Sequence, residues 1–165
     1  MSVEIRAGRA TDLPRLVEIY NHYVVNTPIT FDLQPFEVEQ RRTWFEQYRE
    51  QGRHRLLVGA AGGTVVGYAC SHQFRVKAAY DSTVETTVYC TPEHTRRGLG
   101  NALYQALFDA LQGEDIASFV AGITLPNEAS LALHKRFGFQ HVGTMHRVGR
   151  KFDNYWDVAW LERLA

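Results

Sequence analysis

The stretch from Thr83 to Leu111 constrains this chain more than any other. It reads Thr83-Val-Glu-Thr-Thr-Val-Tyr-Cys90, then Thr91-Pro-Glu-His-Thr-Arg-Arg-Gly-Leu-Gly100, then a run rich in leucine and alanine. The first segment is β-branched and alternating, which puts Val84, Thr86, Val88 and Cys90 on one face of a strand and Glu85, Thr87 and Tyr89 on the other. In the last segment Leu99, Leu103, Leu107 and Leu111 share a stripe with Ala102, Ala106 and Ala110, the mark of a helix that packs a small apolar face on a sheet.

Between strand and helix stand Arg96, Arg97, Gly98 and Gly100. A glycine turn entering a helix leaves backbone N–H groups unpaired at the positive end of the helix dipole, where an anion can come close. The two arginines add forked donors. The residues alone allow a polyphosphate cradle or a surface turn with solvated charges. A Walker A loop is excluded, because no Gly-Lys-Ser/Thr follows. A dinucleotide fingerprint fails at Leu103, where a small residue would be needed, and lacks an acid at the end of the next strand.

At 165 residues the whole chain, 1–165, is expected to be one domain. Its 18 acidic and 18 basic residues cancel, which argues against nucleic acid or a membrane surface as the main partner. Cys70 and Cys90 lie in apolar runs without metal spacing and are expected to be buried thiols of a cytoplasmic protein, with no metal bound. The N-terminus has no apolar signal core, and no run approaches the length of a membrane helix.

Val3 to Ala7 predicts a first strand, and Thr11 is expected to cap a helix that ends near Asn26. Asn26 to Pro35 is a loop, either simple connection or part of a binding site, and a second helix is expected over about Phe36 to Gln51. A hairpin follows, Arg55–Ala60 with Thr64–Ser71, in which Gly67 suggests a bulge or a close backbone approach. Beyond the central stretch come a strand over Ala117–Ile123, a helix capped by Asn127 and ended by Gly138, and a closing pair, Phe139–Val148 and Tyr155–Leu161, joined by a charged, glycine-containing loop. The fold class is α/β in the α+β sense: a mixed, mostly antiparallel sheet with helices on both faces.

Arg-Arg-Gly-Leu-Gly after a strand and before a helix resembles the pyrophosphate motif of the GCN5-related N-acetyltransferases (GNAT), and the segment Asn127 to Phe139 resembles a second motif of that superfamily. Within it, Ile19-Tyr-Asn21, Thr30-Phe31, Tyr80-Asp81, Thr83 to Tyr89, Leu125-Pro-Asn127 and Asn154-Tyr-Trp-Asp-Val158 are similar to the phosphinothricin and methionine sulfoximine acetyltransferases. The resemblance implies the GNAT fold, acetyl-CoA as co-substrate and a homodimer. It implies that Val88, Tyr89 and Cys90 hold the pantetheine arm, that Arg96, Arg97, Gly98, Leu99, Gly100 and Asn101 receive the pyrophosphate, and that Asn127 reaches the cofactor. The implied acceptor is a small amino-acid-like amine such as methionine sulfoximine, methionine sulfone or phosphinothricin. Acetylation of protein N-termini and a non-catalytic acetyl-CoA-binding regulator are the alternatives.

Attack of an amine on a thioester needs a base and a donor for the leaving sulfur. Glu85 stands where the family's base does. His134 replaces the tyrosine many relatives use as acid, and its ordinary pKa near 6.5 suits a donor; a helix histidine can also be mere packing, and Tyr104 is expected to lie along its helix. Phe31, Arg75, Val76, Lys77 and Tyr80, with Glu85, Thr86 and Thr87, are the candidate acceptor contacts, although Arg75 and Lys77 can equally be surface charges.

Overall fold

A computed structural model describes residues 3–95 and 97–165. The elements run β1 Val3–Ala7, α1 Leu13–Asn26, α2 Arg42–Glu46, β2 Leu56–Ala61, β3 Thr64–Gln73, β4 Thr83–Cys90, α3 Leu99–Ala110, β5 Ser118–Thr124, α4 Glu128–Arg136, β6 Gln140–Lys151 and β7 Asn154–Leu164. They form one mixed sheet in the order β1-β2-β3-β4-β5-β7-β6, antiparallel except for the β4–β5 pair. The leucine stripe of α3 buries Leu99, Leu103 and Leu107 against Val66, Ala69, Val84 and Phe119 on one face of this sheet. On the other face α1 and α2 cover Val58, Val65, Tyr68 and Cys70 with Leu16, Ile19, Trp44 and Tyr48.

The structure departs from the sequence pattern in four places. Thr11 does not cap α1; the Asp12 carboxylate does the local work, accepting the Arg9 N–H at 2.8 Å and the Arg6 guanidinium at 2.7 and 2.9 Å. The second helix shrinks to Arg42–Glu46, preceded by a 3-10 turn over Glu39–Arg41. Its expected start is held as loop because the Asn21 side chain grips the Phe36 backbone on both sides, at 2.8 and 2.9 Å. Gly100 already lies inside α3, which begins at Leu99 after the left-handed Gly98 (φ 82°). The closing strands are longer than expected and turn tightly through Phe152 and Asp153, both left-handed; Gly149 belongs to β6, where a Cβ would run into the Phe31 ring.

Gly67 meets both of its expectations. The β2–β3 register shifts beside it, and a Cβ there would sit 2.9 Å from the Tyr89 carbonyl and 3.0 Å from the Leu99 side chain. Lacking one, β3 and β4 approach the start of α3 closely.

Candidate active site

The register of β4 creates the site. β4 pairs with β5 only at Thr83, Val84 and Glu85, opposite Ser118, Phe119 and Val120. Beyond Glu85, β4 stays with β3 as far as Cys90, while β5 follows β7 as far as Thr124. The two strands therefore part, and the edge of Thr86–Cys90 faces a gap instead of a ladder, with backbone groups free for a guest.

A cleft of about 500 Å³ opens from this gap, lined by Val88, Tyr89, Cys90, Gly98, Gly100, Asn101 and Asn127 among others. At its far end the N–H groups of Leu99, Gly100 and Asn101 precede the first α3 bond, from Ala102 N–H to Gly98 at 3.0 Å, and among the described residues no side chain caps them. Asn101 Oδ1 is buried without a partner. Oriented donors at a helix N-terminus, an open strand edge and an orphaned amide suit a long, phosphate-bearing thioester.

Three expected contacts change character. Leu99 enters only through its backbone, since its side chain is 4% exposed and packs on Gly59 and Gly67. The Cys90 carbonyl already accepts the Tyr23 hydroxyl at 2.5 Å. Arg97 is exposed and does not line the cleft, while Arg96 lies outside the described residues. The pattern reading missed Tyr23, Ile29, Ser130 and Arg136 on the cleft wall, which His94 also lines.

At the closed end, a narrow volume of about 60 Å³ lies among Thr86, Thr87, Val88, Tyr89, Tyr104 and His134. Tyr104 does not run idly along its helix: its hydroxyl is 2.9 Å from His134 Nε2 and 3.4 Å from Thr86 Oγ1. His134 Nδ1 faces the Ser130 carbonyl at 2.7 Å, an acceptor only, so this nitrogen carries the proton and Nε2 is the basic one. Burial also lowers the His134 pKa, which keeps the ring neutral near pH 7. A neutral ring so arranged has no proton to offer the cleft. Tyr104, kept in its phenol form by burial, lines the narrow volume at the closed end and gives its proton to His134 Nε2.

Glu85 points to the opposite face of β4. Burial pushes its carboxyl above the usual glutamate range, and the Arg75 charge partly opposes this. Across the strand pair, His72 Nε2 lies 3.8 Å from Glu85 Oε2. Burial chiefly, with the charges of His54 and Arg41, lowers the His72 pKa to about 4, so the contact is not an ion pair at pH 7.

The other acceptor candidates scatter. Thr86 turns toward Tyr104, and Thr87 turns the other way, 3.2 Å from Cys70 Sγ. Arg75 stacks on Phe74, whose ring meets Tyr80 and Trp160. Val76 and Lys77 are exposed, Val76 at 89%. Phe31 rests on Gly149, and its loop is clamped by Lys151 Nζ on the Thr30 carbonyl at 2.8 Å. Among the described residues no group of three His, Cys, Asp or Glu side chains could hold a metal ion, and no helix is long and apolar enough to cross a membrane.

A parted β4–β5 pair with a glycine-led helix beneath it defines an acyl-transfer cleft, and the sequence comparisons agree. Residues 5–160 match the acetyltransferase (GNAT) domain family, and the chain belongs to it. It is 53% identical over 163 residues to the phosphinothricin N-acetyltransferase of Streptomyces coelicolor, covering 98% of this chain and 95% of that protein. It is 35% identical over 162 residues to the L-methionine sulfoximine/L-methionine sulfone acetyltransferase of Pseudomonas aeruginosa, covering 98% and 94%. The solved phosphinothricin acetyltransferase of Sinorhizobium meliloti in complex with AcCoA superposes with a TM-score of 0.93 at 30% identity, covering 99% of this chain and 89% of that one.

Proposed function

We propose that the chain acetylates the α-amino group of small amino-acid analogues, namely methionine sulfoximine, methionine sulfone and phosphinothricin-like acids, with acetyl-CoA as donor, and so detoxifies them in the cytoplasm. The observation that carries this reading is Glu85: a half-buried carboxyl with a raised pKa, on the opposite face of β4 from the cleft, at the residue where β4 leaves β5. An amine deprotonated there can reach through the gap to an acyl group held on the other side.

Acetyl-CoA supplies an activated thioester carbonyl. The N–H groups opening α3 receive the pyrophosphate, the free edge of Val88 and Tyr89 aligns the pantetheine arm, and the Asn127 amide reaches in from α4. Glu85 takes the ammonium proton. The Tyr104 hydroxyl, whose one proton rests on His134 Nε2, turns that proton to the sulfur as the thiolate leaves. Arg75, whose charge Glu85 feels, is placed to meet the acceptor's α-carboxylate, with Val76, Lys77 and Tyr80 on the same loop.

A second copy of the chain fits the β6–β7 edge, where Val142, Met145, Val148, Phe152 and Tyr155 are all more than half exposed. Thiol release from acetyl-CoA, run over methionine sulfone, methionine sulfoximine, phosphinothricin, free amino acids and short peptides, tests the assignment. A saturable rate confined to the sulfur and phosphorus analogues is expected; a rate only with peptides would replace it with N-terminal acetylation.

A further inference from the structure

Arg41, like Arg75, is a cation on the Glu85 side of the sheet that holds no carboxylate among the described residues. Arg6, Arg15, Arg42, Arg53 and Arg55 each hold a carboxylate. Arg41 is half-buried, and among the described residues it holds none and has no hydrogen-bond acceptor. Its carbon Cζ lies 4.7 Å from the Tyr20 ring centre, 5.1 Å from Phe36 and 4.2 Å from Trp44. Two acids of the adjoining segments have partners of their own. Glu39 gives both oxygens to Arg42, at 2.7 and 2.8 Å, and Asp32 accepts the Tyr20 hydroxyl at 2.5 Å.

This cage stands on the Glu85 face of the sheet. Tyr20 meets Tyr89 edge-on at 5.3 Å, Trp44 meets Tyr68 at 6.0 Å, and Tyr68 is Tyr89's partner across β3 and β4. Two more buried polar atoms on this face, Tyr68 Oη and His72 Nδ1, are also without partners among the described residues. The charge felt at Glu85 is that of Arg75, whereas the Arg41 charge is felt at His72, Cys70, Tyr68 and Tyr89. His72 pairs with Glu85 and Tyr68 with Tyr89, so the cage, packed on the Tyr68–Tyr89 pair, stands farther along β4 than Glu85, whereas Arg75 follows closely on the end of β3 beside it.

We propose that Arg41 binds the terminal oxygens of the acceptor side chain, the sulfone, sulfoximine or phosphinate group, while its aromatic cage walls the adjoining methyl and methylene groups. An amine at Glu85 carries its α-carboxylate one carbon away, within the reach of Arg75. The end of a side chain of methionine length lies roughly 5 Å further, from bond lengths near 1.5 Å. An unpaired guanidinium there selects oxygen-bearing tips over thioethers.

This assignment rests on the function proposed above, and one comparison tests both. Methionine sulfone and methionine differ only in the two sulfone oxygens. Wild type is expected to favour the sulfone in kcat/KM, and Arg41→Met to lose that preference by roughly tenfold to a hundredfold. Arg41→Lys should restore part of it, with the KM for acetyl-CoA unchanged in both variants. Arg75→Met should instead weaken the two acceptors equally and erase the preference for a free α-carboxylate over its amide. An Arg41→Met enzyme that loses both acceptors in equal proportion, or keeps the wild-type preference, would overturn the assignment and leave the acetyltransferase reading intact. Wild type inactive on every sulfur and phosphorus analogue would remove both.

Discussion

On the face of β4 that meets α3 and α4, the polar groups hold one another. Tyr104 leans on His134, His134 on the Ser130 carbonyl, and the Ser130 N–H on Asn127 Oδ1. On the opposite face Glu85 has a neutral histidine and the Arg75 charge beside it, and among the described residues Tyr68 Oη, His72 Nδ1 and the Arg41 guanidinium have no hydrogen-bond partner. Asn101 Oδ1 apart, the first face is preorganised, and the other is left with more unmet interactions. The difference suits a division of labour, in which a rigid frame receives the donor and a half-satisfied pocket admits a zwitterion.

The largest effect should come from the unsatisfied face. Glu85→Gln keeps the shape of the side chain and removes the base, so kcat is expected to fall about 10²- to 10⁴-fold while acetyl-CoA still binds. In the parent, activity is expected to rise with pH as Glu85 deprotonates, with the limb above an ordinary glutamate because burial raises this carboxyl. Turnover within a few-fold of wild type would show that the two faces do not divide donor from base.

The same face should make the protein acid-sensitive. His72 has a folded pKa of about 4 against an ordinary 6.5, so the unfolded chain binds more protons between those values. Its contribution to stability is whole above about pH 6.5 and is lost as the pH falls to about 4, roughly 3 kcal/mol in all. Glu85 has the opposite sign, since its raised folded pKa favours the folded state in acid. Comparing wild type with His72→Gln isolates the histidine: urea melts should show a steep loss from pH 7 to 4.5 in the parent and a smaller one in the variant. Equal slopes would mean that His72 is not buried neutral.

The preorganised face answers to subtler changes. Tyr104→Phe fits the same apolar surroundings, and kcat is expected to drop about tenfold through loss of one hydrogen bond to charge developing on sulfur. His134 acts through that hydroxyl, so His134→Ala alone should cost about as much, and the double variant no more than either. Additive losses would give His134 a separate role, and full turnover in His134→Ala would remove it from the mechanism.

The two faces also differed in how far the sequence revealed them. The α3–α4 side was legible because its signals are local: a leucine period, glycines at a helix start, an asparagine before a helix. Tyr104 escaped because its helix looks the same whether β4 and β5 stay paired or part, and the register decides that. On the α1–α2 side Glu85 was legible as a strand position, but Arg41 was not. The pattern gave only a helix over about Phe36 to Gln51 with Arg41 inside it, and the Asn21 grip on Phe36 that prevents such a helix spans fifteen positions of sequence. The closing loop was misread for a similar reason, since only the Phe31 ring from a distant loop shows why Gly149 belongs in a strand.

Asn127 allows the finest cut, because one side chain serves the fold and the cleft with different atoms. Its Oδ1 accepts the Ser130 N–H at 3.1 Å and caps α4, and Asn127 also lines the cleft, where its amide N–H groups are the donors left over. Asn127→Ala should lose the cap, about 1 kcal/mol of stability, and raise the KM for acetyl-CoA as well. Asn127→Asp keeps an oxygen for Ser130 and adds a charge that favours a helix N-terminus, so its melting temperature should stay near the parent's. It has no N–H to give, and its KM for acetyl-CoA should rise by a few-fold. An Asp variant with both values unchanged would confine Asn127 to the fold, and the preorganised face would then hold the donor through α3 and β4 alone.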